Sequence, residues 1–282
     1  MTEALLTRLE GLDTCACSDA MDKLGLSGVA SGLHPVTVRR KITGRVQTVQ
    51  FAPVAGGGGA EGAGAAADQA AAPPAAPGPV RHAGTAAIDA ARPGDVIVVA
   101  ADGRLDAAAW GGLLSLAATV RGVAGVIADG ACRDVDEAIE LELPVYARGV
   151  TPLTARGRQR EVAWDVPIPV AGITVHPGDL VIADGSGVVF LPAEHAERVI
   201  SAAEEVAARE QALSVRINNG EPSAAVLSSD YERMLASERD EARLREVQHL
   251  LSPAHALTPL GKVDVATAPQ SIPRPWSMGS PC

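Results

Sequence analysis

The pattern of apolar and polar residues alternates between short buried strands and helices along most of the chain. Runs rich in Val and Ile, bounded by Pro-Gly or Asp-Gly turn signals, predict strands in PGDVIVVAADG (93–103), GVAGVIADG (122–130) and PGDLVIADGSGVVFLP (177–192), with two short strands in 34–51 broken at Thr43-Gly44. Helical spacing predicts helices within 3–25, at 86–91, in AAAWGGLLSLAATVRG (107–122), in VDEAIELE (135–142) and over 193–217. Strands and helices that alternate in this way predict an α/β fold.

Two segments interrupt or follow this pattern. Residues 53–84 are mostly Gly, Ala and Pro, with almost nothing to bury and no nucleotide-binding glycine motif after a strand, so they predict a flexible insertion. We therefore predict one domain over 1–225. A C-terminal extension follows over 226–282, formed by a charged helix at about 229–251 and then a Pro-rich end.

Composition narrows the function classes. The chain has a formal net charge of −10 and is only 2% aromatic, which argues against a surface that tracks nucleic-acid phosphates. It contains no run of 18 apolar residues, so we expect no membrane span. The N-terminus has no secretory layout, and the four cysteines have no metal or redox spacing. We therefore expect a cytoplasmic protein with reduced thiols.

The most informative residues are Arg133 and Asp134, which follow the strand predicted at 122–130 and precede a predicted helix. We interpret Asp129-Gly130 as the turn of that strand, which would place the Arg-Asp pair in a strand-to-helix loop. There a carboxylate can hold a divalent cation, and a guanidinium can bind a carboxylate or enolate with two hydrogen bonds. A surface ion pair is the simpler interpretation of the dipeptide alone, and the neighbouring segments decide between the two.

Seven segments, taken in order, carry a resemblance to a known family. They are SDAMDKLG (18–25), GRVQTV (44–49), PGDVIVV (93–99), AWGGLLSLAA (109–118), GVIADGACRDVDE (125–137), PVYARGVTP (144–152) and PGDLVIADGSGVVFLP (177–192). Together they resemble the class II pyruvate aldolases that cleave 4-hydroxy-4-methyl-2-oxoglutarate and 4-carboxy-4-hydroxy-2-oxoadipate. The regulator of ribonuclease E activity A belongs to the same superfamily. The resemblance implies a swivelling β/β/α layered fold with outer helices, assembled as a homotrimer or homohexamer.

The resemblance also implies roles for individual residues. Asp134 would bind Mg²⁺ or Mn²⁺ together with water, and Arg133 would bind the substrate oxygens and stabilise an enolate. Gly112, Leu113 and Leu114 would form the substrate-binding helix start, where the backbone N–H groups of Leu113 and Leu114 would bind the substrate carboxylate. Glu210 would reach the site of a neighbouring subunit. The implied activity is a metal-dependent carbon–carbon lyase that acts on a small 2-oxo acid.

The lysines favour the same metal route. Cleavage next to a 2-oxo group needs an electron sink, which is either a lysine Schiff base or a metal ion. Lys23 and Lys41 lie near the N-terminus and Lys262 lies in the C-terminal extension, so none falls in a patterned segment that could line a cleft.

One position departs from the family pattern. Members with aldolase activity usually carry an acid that twenty residues separate from the arginine, where it orders water at the metal and assists proton transfer, but here that position is Gly112. Either another acid such as Asp106 or Asp102 substitutes, or the substrate supplies the group, or the reaction is a different one. Retro-aldol cleavage, oxaloacetate decarboxylation, a diverted reaction and a non-catalytic regulator-type binding role all stay open at this point.

Overall fold

The computed structural model describes residues 2–54 and 82–227. Helices in these ranges are Thr2–Glu10 (α1), Thr14–Leu24 (α2), Ala83–Ala90 (α3), Gly112–Val120 (α4), Val135–Glu140 (α5), Ala196–Asn218 (α6) and Ser223–Val226 (α7). Strands are Val29–Ala30 (β1), His34–Pro35 (β2), Ile42–Pro53 (β3), Val96–Ala100 (β4), Ala108–Trp110 (β5), Gly125–Cys132 (β6), Val145–Val150 (β7), Gln159–Trp164 (β8), Ile168–Val170 (β9), Ile173–Val175 (β10), Leu180–Asp184 (β11) and Gly187–Leu191 (β12).

The long strand β3 joins two differently built halves of one sheet, whose strand order is β1-β12-β11-β3-β4-β6-β7-β2. The first residues of β3 pair antiparallel with β11, and the next ones pair parallel with β4. Strands β4, β6 and β7 continue in parallel, and β5 adds to β6 in the same direction. The carboxyl ends of β4, β5 and β6 therefore lie at one edge, where α/β sheets usually bind ligands.

Both faces of the parallel half are covered, which explains why its strands are uniformly apolar. Ile97 and Val99 of β4 pack with α3, α4 and α5, whereas Val96 and Val98 face the strands β9 to β12 across a second core. A third core packs α1, α2 and α6 on β11 and β12. This arrangement of sheet against sheet with helices outside confirms the predicted α/β class and its layered fold.

Three details of the predicted elements are wrong. Strand β3 runs unbroken through Thr43-Gly44. The glycine there does not mark a turn: it lets the backbone of β3 lie close to the Gly94 carbonyl, which a side chain at position 44 would hit. Asp129-Gly130 lies inside β6 and is not a turn, since β6 continues to Cys132. The helix predicted from residue 107 begins only at Gly112, because Ala108–Trp110 pairs with β6 as a strand.

The predicted insertion at 53–84 is shorter at both ends, because Pro53 ends β3 and Ala83 begins α3. Most of it, and the charged helix predicted at about 229–251, lie outside the described residues. The predicted domain bounds stay a prediction. Among the described helices, none has the length and apolar character needed to cross a bilayer.

Candidate functional site

The pairing of β5 with β6 creates the site. In this parallel pair Trp110 lies opposite Cys132, so the residues that follow each strand, Gly111-Gly112 and Arg133-Asp134, meet at the carboxyl edge of the sheet. The Arg133 N–H donates to the Trp110 carbonyl at 3.0 Å and ties the two loops together. The sequence places twenty residues between Gly112 and Arg133, and the sheet brings them side by side.

Asp134 is held with one carboxylate oxygen occupied and one open. Its Oδ2 accepts the Gly112 N–H at 2.9 Å and the Arg133 Nε–H at 3.0 Å, while Oδ1 has no hydrogen-bond partner in the described ranges. The Gly112 N–H is the larger cause, and the Arg133 hydrogen bond a further one, of a pKa below the usual value for this carboxyl. Its backbone is left-handed, with φ of 54°, an uncommon conformation that often marks functional positions. Asp134 is therefore an ionised carboxylate with a free oxygen.

Arg133 has only its Nε engaged by a side chain. Its two terminal nitrogens have no partner among the residues that the structure describes, and 39% of the side chain is exposed. The guanidinium edge is thus available to a planar anion, which it can bind with two parallel hydrogen bonds.

The first turn of α4 adds backbone donors to the same place. This helix begins at Gly112, so the N–H groups of Leu113 and Leu114 have no acceptor within the helix. Both residues line a cavity of about 230 Å³ together with Arg133 and Asp134. A helix start beside a guanidinium favours the binding of a carboxylate.

The structure thus brings together at one cavity five residues that the sequence analysis named, Arg133, Asp134, Gly112, Leu113 and Leu114, and their roles stay a prediction. Glu210 is not part of that cavity within one chain. It lies on α6 near α2, where burial and then the charges of Asp19 and Asp13 raise its pKa. Its role in a neighbouring subunit's site stays a prediction.

Glu161 of β8 is a cavity residue that sequence reasoning missed. Its side chain is only 14% exposed, and its Oε2 accepts the Gly84 N–H at 2.9 Å. Strand β8 pairs with β3 across a large sequence distance, and no motif marks it. The one available signal was the alternation of exposed and less exposed residues along β8, in which Glu161 pairs with the buried Phe51 of β3.

The two acids that could replace the missing one at Gly112 do not lie in the cavity lining. Asp106 forms a two-point ion pair with Arg104, at 2.9 and 2.7 Å, and this hydrogen bonding lowers its pKa. Asp102 lies in the turn after β4. Substitution by either residue is therefore not supported by the geometry.

The donor set fits one kind of metal site. In the described part of the chain, no group of three or more His, Cys, Asp or Glu side chains could cage an ion. A single open carboxylate oxygen suits Mg²⁺, which keeps most of its waters and uses one or two protein carboxylates, and Mn²⁺ accepts similar oxygen ligands. Asp134 is the residue that would hold it.

Comparisons with known proteins agree with this geometry. A sequence model of the RraA-like family, described as Aldolase/RraA, matches residues 14–190. A putative 4-hydroxy-4-methyl-2-oxoglutarate aldolase from Halalkalibacterium halodurans is 30% identical over 74% of this chain and 88% of its own length. Protein DlpA from Legionella pneumophila is 27% identical over 77% of this chain, and the match spans only 32% of DlpA.

A solved structure supports the same assignment. RraAS2 from Streptomyces coelicolor, described as an unusual member of the RNase ES inhibitor RraA protein family, matches with a TM-score of 0.62 at 27% identity, over 74% of this chain and 94% of its own. The family match covers well over half of this chain and includes both loops of the site. The chain therefore belongs to the RraA-like family.

Proposed function

We propose that this protein is a divalent-metal-dependent lyase that forms pyruvate from a small 2-oxo acid. The observation that carries the proposal is the open Oδ1 of Asp134 next to the free guanidinium edge of Arg133, in one cavity with the start of α4. Relatives named as 4-hydroxy-4-methyl-2-oxoglutarate aldolases support a lyase of this class.

The residues divide the work between binding and charge stabilisation. The N–H groups of Leu113 and Leu114 bind the substrate's carboxylate, and Arg133 binds the 2-oxo oxygen and stabilises negative charge that develops there. Asp134 would hold Mg²⁺ or Mn²⁺, which when bound supplies the Lewis acid that an enolate requires. The same residues serve retro-aldol cleavage of a 4-hydroxy-2-oxo acid and decarboxylation of oxaloacetate, because both reactions produce pyruvate enolate.

The described lysines are engaged away from this cavity. Lys41 donates to the carbonyls of Glu10 and Leu12, at 2.6 and 2.8 Å, and Lys23 lies 3.7 Å from the Glu205 carboxylate. Neither lines the cavity that contains Arg133. A Schiff-base route through these two residues is therefore disfavoured on geometry.

A shared site in a homo-oligomer belongs to the proposal. The raised pKa of Glu210 and its place outside its own chain's cavity lining suit a carboxylate that acts on a neighbouring subunit. Mixing an inactive Arg133→Ala protein with an inactive Glu210→Gln protein should then restore part of the activity, because some mixed sites are intact. Continued inactivity after subunit exchange would place Glu210 outside the shared site.

A second candidate is a non-catalytic regulator that binds a ribonuclease. It is favoured by the glycine at position 112 and by the likeness to RraAS2, a member of a ribonuclease-inhibitor family. The surface of the cavity gives no reason to prefer it, since a protein-binding role does not require an open carboxylate oxygen beside a free guanidinium.

The deciding assay measures pyruvate release with a coupled lactate dehydrogenase. Substrates are 4-hydroxy-4-methyl-2-oxoglutarate, 4-carboxy-4-hydroxy-2-oxoadipate and oxaloacetate, each with Mg²⁺ and with excess chelator. Asp134→Asn protein provides the background for spontaneous, metal-driven oxaloacetate decay. Metal-dependent release by the wild type alone supports the proposal, and no release from any substrate would favour the regulator.

A further inference from the structure

The carboxylate of Glu137 occupies the place that a side chain at position 112 would enter. A Cβ built on Gly112 would overlap Oε2 of Glu137, lie 2.8 Å from its Cδ and lie 3.2 Å from Cβ of Asp134. Glu137 thus fills, from α5, the space beside Asp134 that a side chain at position 112 would enter from the start of α4. Gly112 and Glu137 therefore depend on each other, because the Glu137 carboxylate occupies space that only glycine at position 112 leaves open.

The Glu137 carboxylate also has no hydrogen-bond or ion-pair partner in the described ranges. Glu137 lies in the first turn of α5, three residues after Asp134, so the two side chains project from neighbouring positions of one helix end. Its side chain is exposed. It is not among the residues that line the main cavity, but it lines two adjoining grooves that share Arg133 and Asp134, or Gly112 and Leu113, with that cavity.

The other acids near the site are placed or engaged differently. Asp106 is paired with Arg104, and Glu161 accepts a hydrogen bond from the Gly84 backbone. Within the described ranges Asp136 is also unengaged and shares a groove with Arg133 and Asp134, but among these acids only Glu137 combines an unengaged carboxylate with a place beside both Gly112 and Asp134. A base must have both properties to exchange a proton with a substrate bound by Arg133.

We propose that Glu137 is the catalytic base and acid of the retro-aldol reaction, in place of the acid absent at position 112. This inference rests on the proposed lyase function. The Glu137 carboxylate takes the proton of the substrate's 4-hydroxyl as the C3–C4 bond breaks, and C4 leaves as a carbonyl. The bond's electron pair forms the pyruvate enolate, and Glu137 then returns the proton to C3 to give pyruvate. No oxidant or reductant is needed.

Comparing retro-aldol cleavage with oxaloacetate decarboxylation distinguishes a catalytic role of Glu137 from a structural one. Retro-aldol cleavage requires loss of a hydroxyl proton, whereas oxaloacetate decarboxylation does not. Glu137→Gln keeps the shape and removes the base, so kcat for 4-hydroxy-4-methyl-2-oxoglutarate should fall about 100-fold or more. Oxaloacetate decarboxylation should fall less than about tenfold, because water can protonate the enolate. Mn²⁺ affinity, measured by calorimetry, should not change.

Moving the carboxylate from position 137 to position 112 tests whether the two side chains can occupy the same space. Glu137→Ala should be nearly inactive in retro-aldol cleavage, and adding Gly112→Asp should recover at least about tenfold, because the new carboxylate enters the vacated space. Gly112→Asp alone should be impaired by crowding and by repulsion between two carboxylates. Glu140→Gln, the same change one turn further along α5, is the matched control and should behave as wild type.

Each outcome bears on the proposal. A Glu137→Gln protein within about twofold of wild type, equal losses in both reactions, or a loss of Mn²⁺ affinity would overturn it. Failure of the double variant to recover would show that the two positions do not share one function. A wild type that releases no pyruvate would instead contradict the lyase function, and this inference would fall with it.

Discussion

Two Arg–Asp pairs lie on or beside the neighbouring strands β6 and β7, and they differ in what they leave open. Asp129 is inside β6 with its side chain 6% exposed, and both of its oxygens are used: Oδ1 accepts from Arg148 Nε, and Oδ2 accepts the Ala171 N–H at 2.7 Å. Asp134 follows the same strand, is 31% exposed, and uses only Oδ2.

The difference shows which feature of an ion pair indicates function. The Asp129 carboxylate links β6, β7 and the turn between β9 and β10, so both of its oxygens are occupied and it serves the fold, whereas Arg148 is engaged through Nε alone among the described residues, as Arg133 is. The Arg133–Asp134 pair has adjacent residues, a left-handed aspartate and a carboxylate whose Oδ1 is open. An open carboxylate oxygen at the carboxyl edge of the sheet therefore separates a candidate site from a structural crosslink.

The largest expected effect is on activity. Asp134→Asn should reduce metal-dependent pyruvate release by about 10³-fold or more, because the amide is a poor ligand and no longer carries the charge. Asp129→Asn molecules that remain folded should keep a rate within about tenfold of wild type. Comparable activity losses in both folded proteins would remove the distinction between the pairs.

Stability should respond in the opposite order. Asp129→Asn leaves the partly buried Arg148 without its carboxylate and should lower the free energy of unfolding by about 3 kcal/mol. Asp134→Asn should change it by less than about 1 kcal/mol, because the site is half-exposed and asparagine tolerates left-handed backbone. Urea unfolding followed by circular dichroism measures both values, and a larger loss for Asp134→Asn would reverse our assignment.

Arginine-to-lysine changes provide a second contrast. Arg133→Lys keeps the charge but loses the planar fork, so we expect kcat/KM to fall about 100-fold with unchanged stability. Arg148→Lys should lower the unfolding midpoint in urea and leave kcat/KM near wild type. A near-wild-type rate for Arg133→Lys would show that Arg133 is an ordinary loop residue.

The smallest expected effect concerns the Asp134 carboxyl. Arg133→Gln removes one of the hydrogen bonds that lower its pKa, so the pKa should rise. The pKa should nevertheless stay below the usual aspartate value, since the Gly112 N–H, which has the larger influence, remains. Carbon-13 NMR of labelled aspartate measures this shift, and a pKa above the usual aspartate value would mean that Arg133 dominates.

Local patterns predicted much of the fold and the central pair. Val- and Ile-rich runs identified β4, β6, β11 and β12, and the Arg133–Asp134 pair was placed correctly just before α5. These features depend on residues that are adjacent in sequence. The same reasoning misplaced Asp129-Gly130, because a buried aspartate can lie inside a strand when a distant arginine pairs with it.

Nonlocal pairing accounts for what was missed. Ala108–Trp110 resembles the start of a helix, and only its register with β6 makes it a strand and sets Gly112 beside Asp134. The closeness of Glu137 to Gly112 follows from that register, and the cavity position of Glu161 follows from β8 pairing with β3. No spacing along the chain encodes these contacts.

Direct titration with Mn²⁺, followed by electron paramagnetic resonance, tests the central claim that the open carboxylate of Asp134 is a metal ligand. Wild-type protein should bind Mn²⁺ saturably, and Mg²⁺ should displace it. Asp134→Asn protein, folded by the unfolding criterion above, should bind at least about 100-fold more weakly. Equal Mn²⁺ affinity in the two proteins would contradict the account.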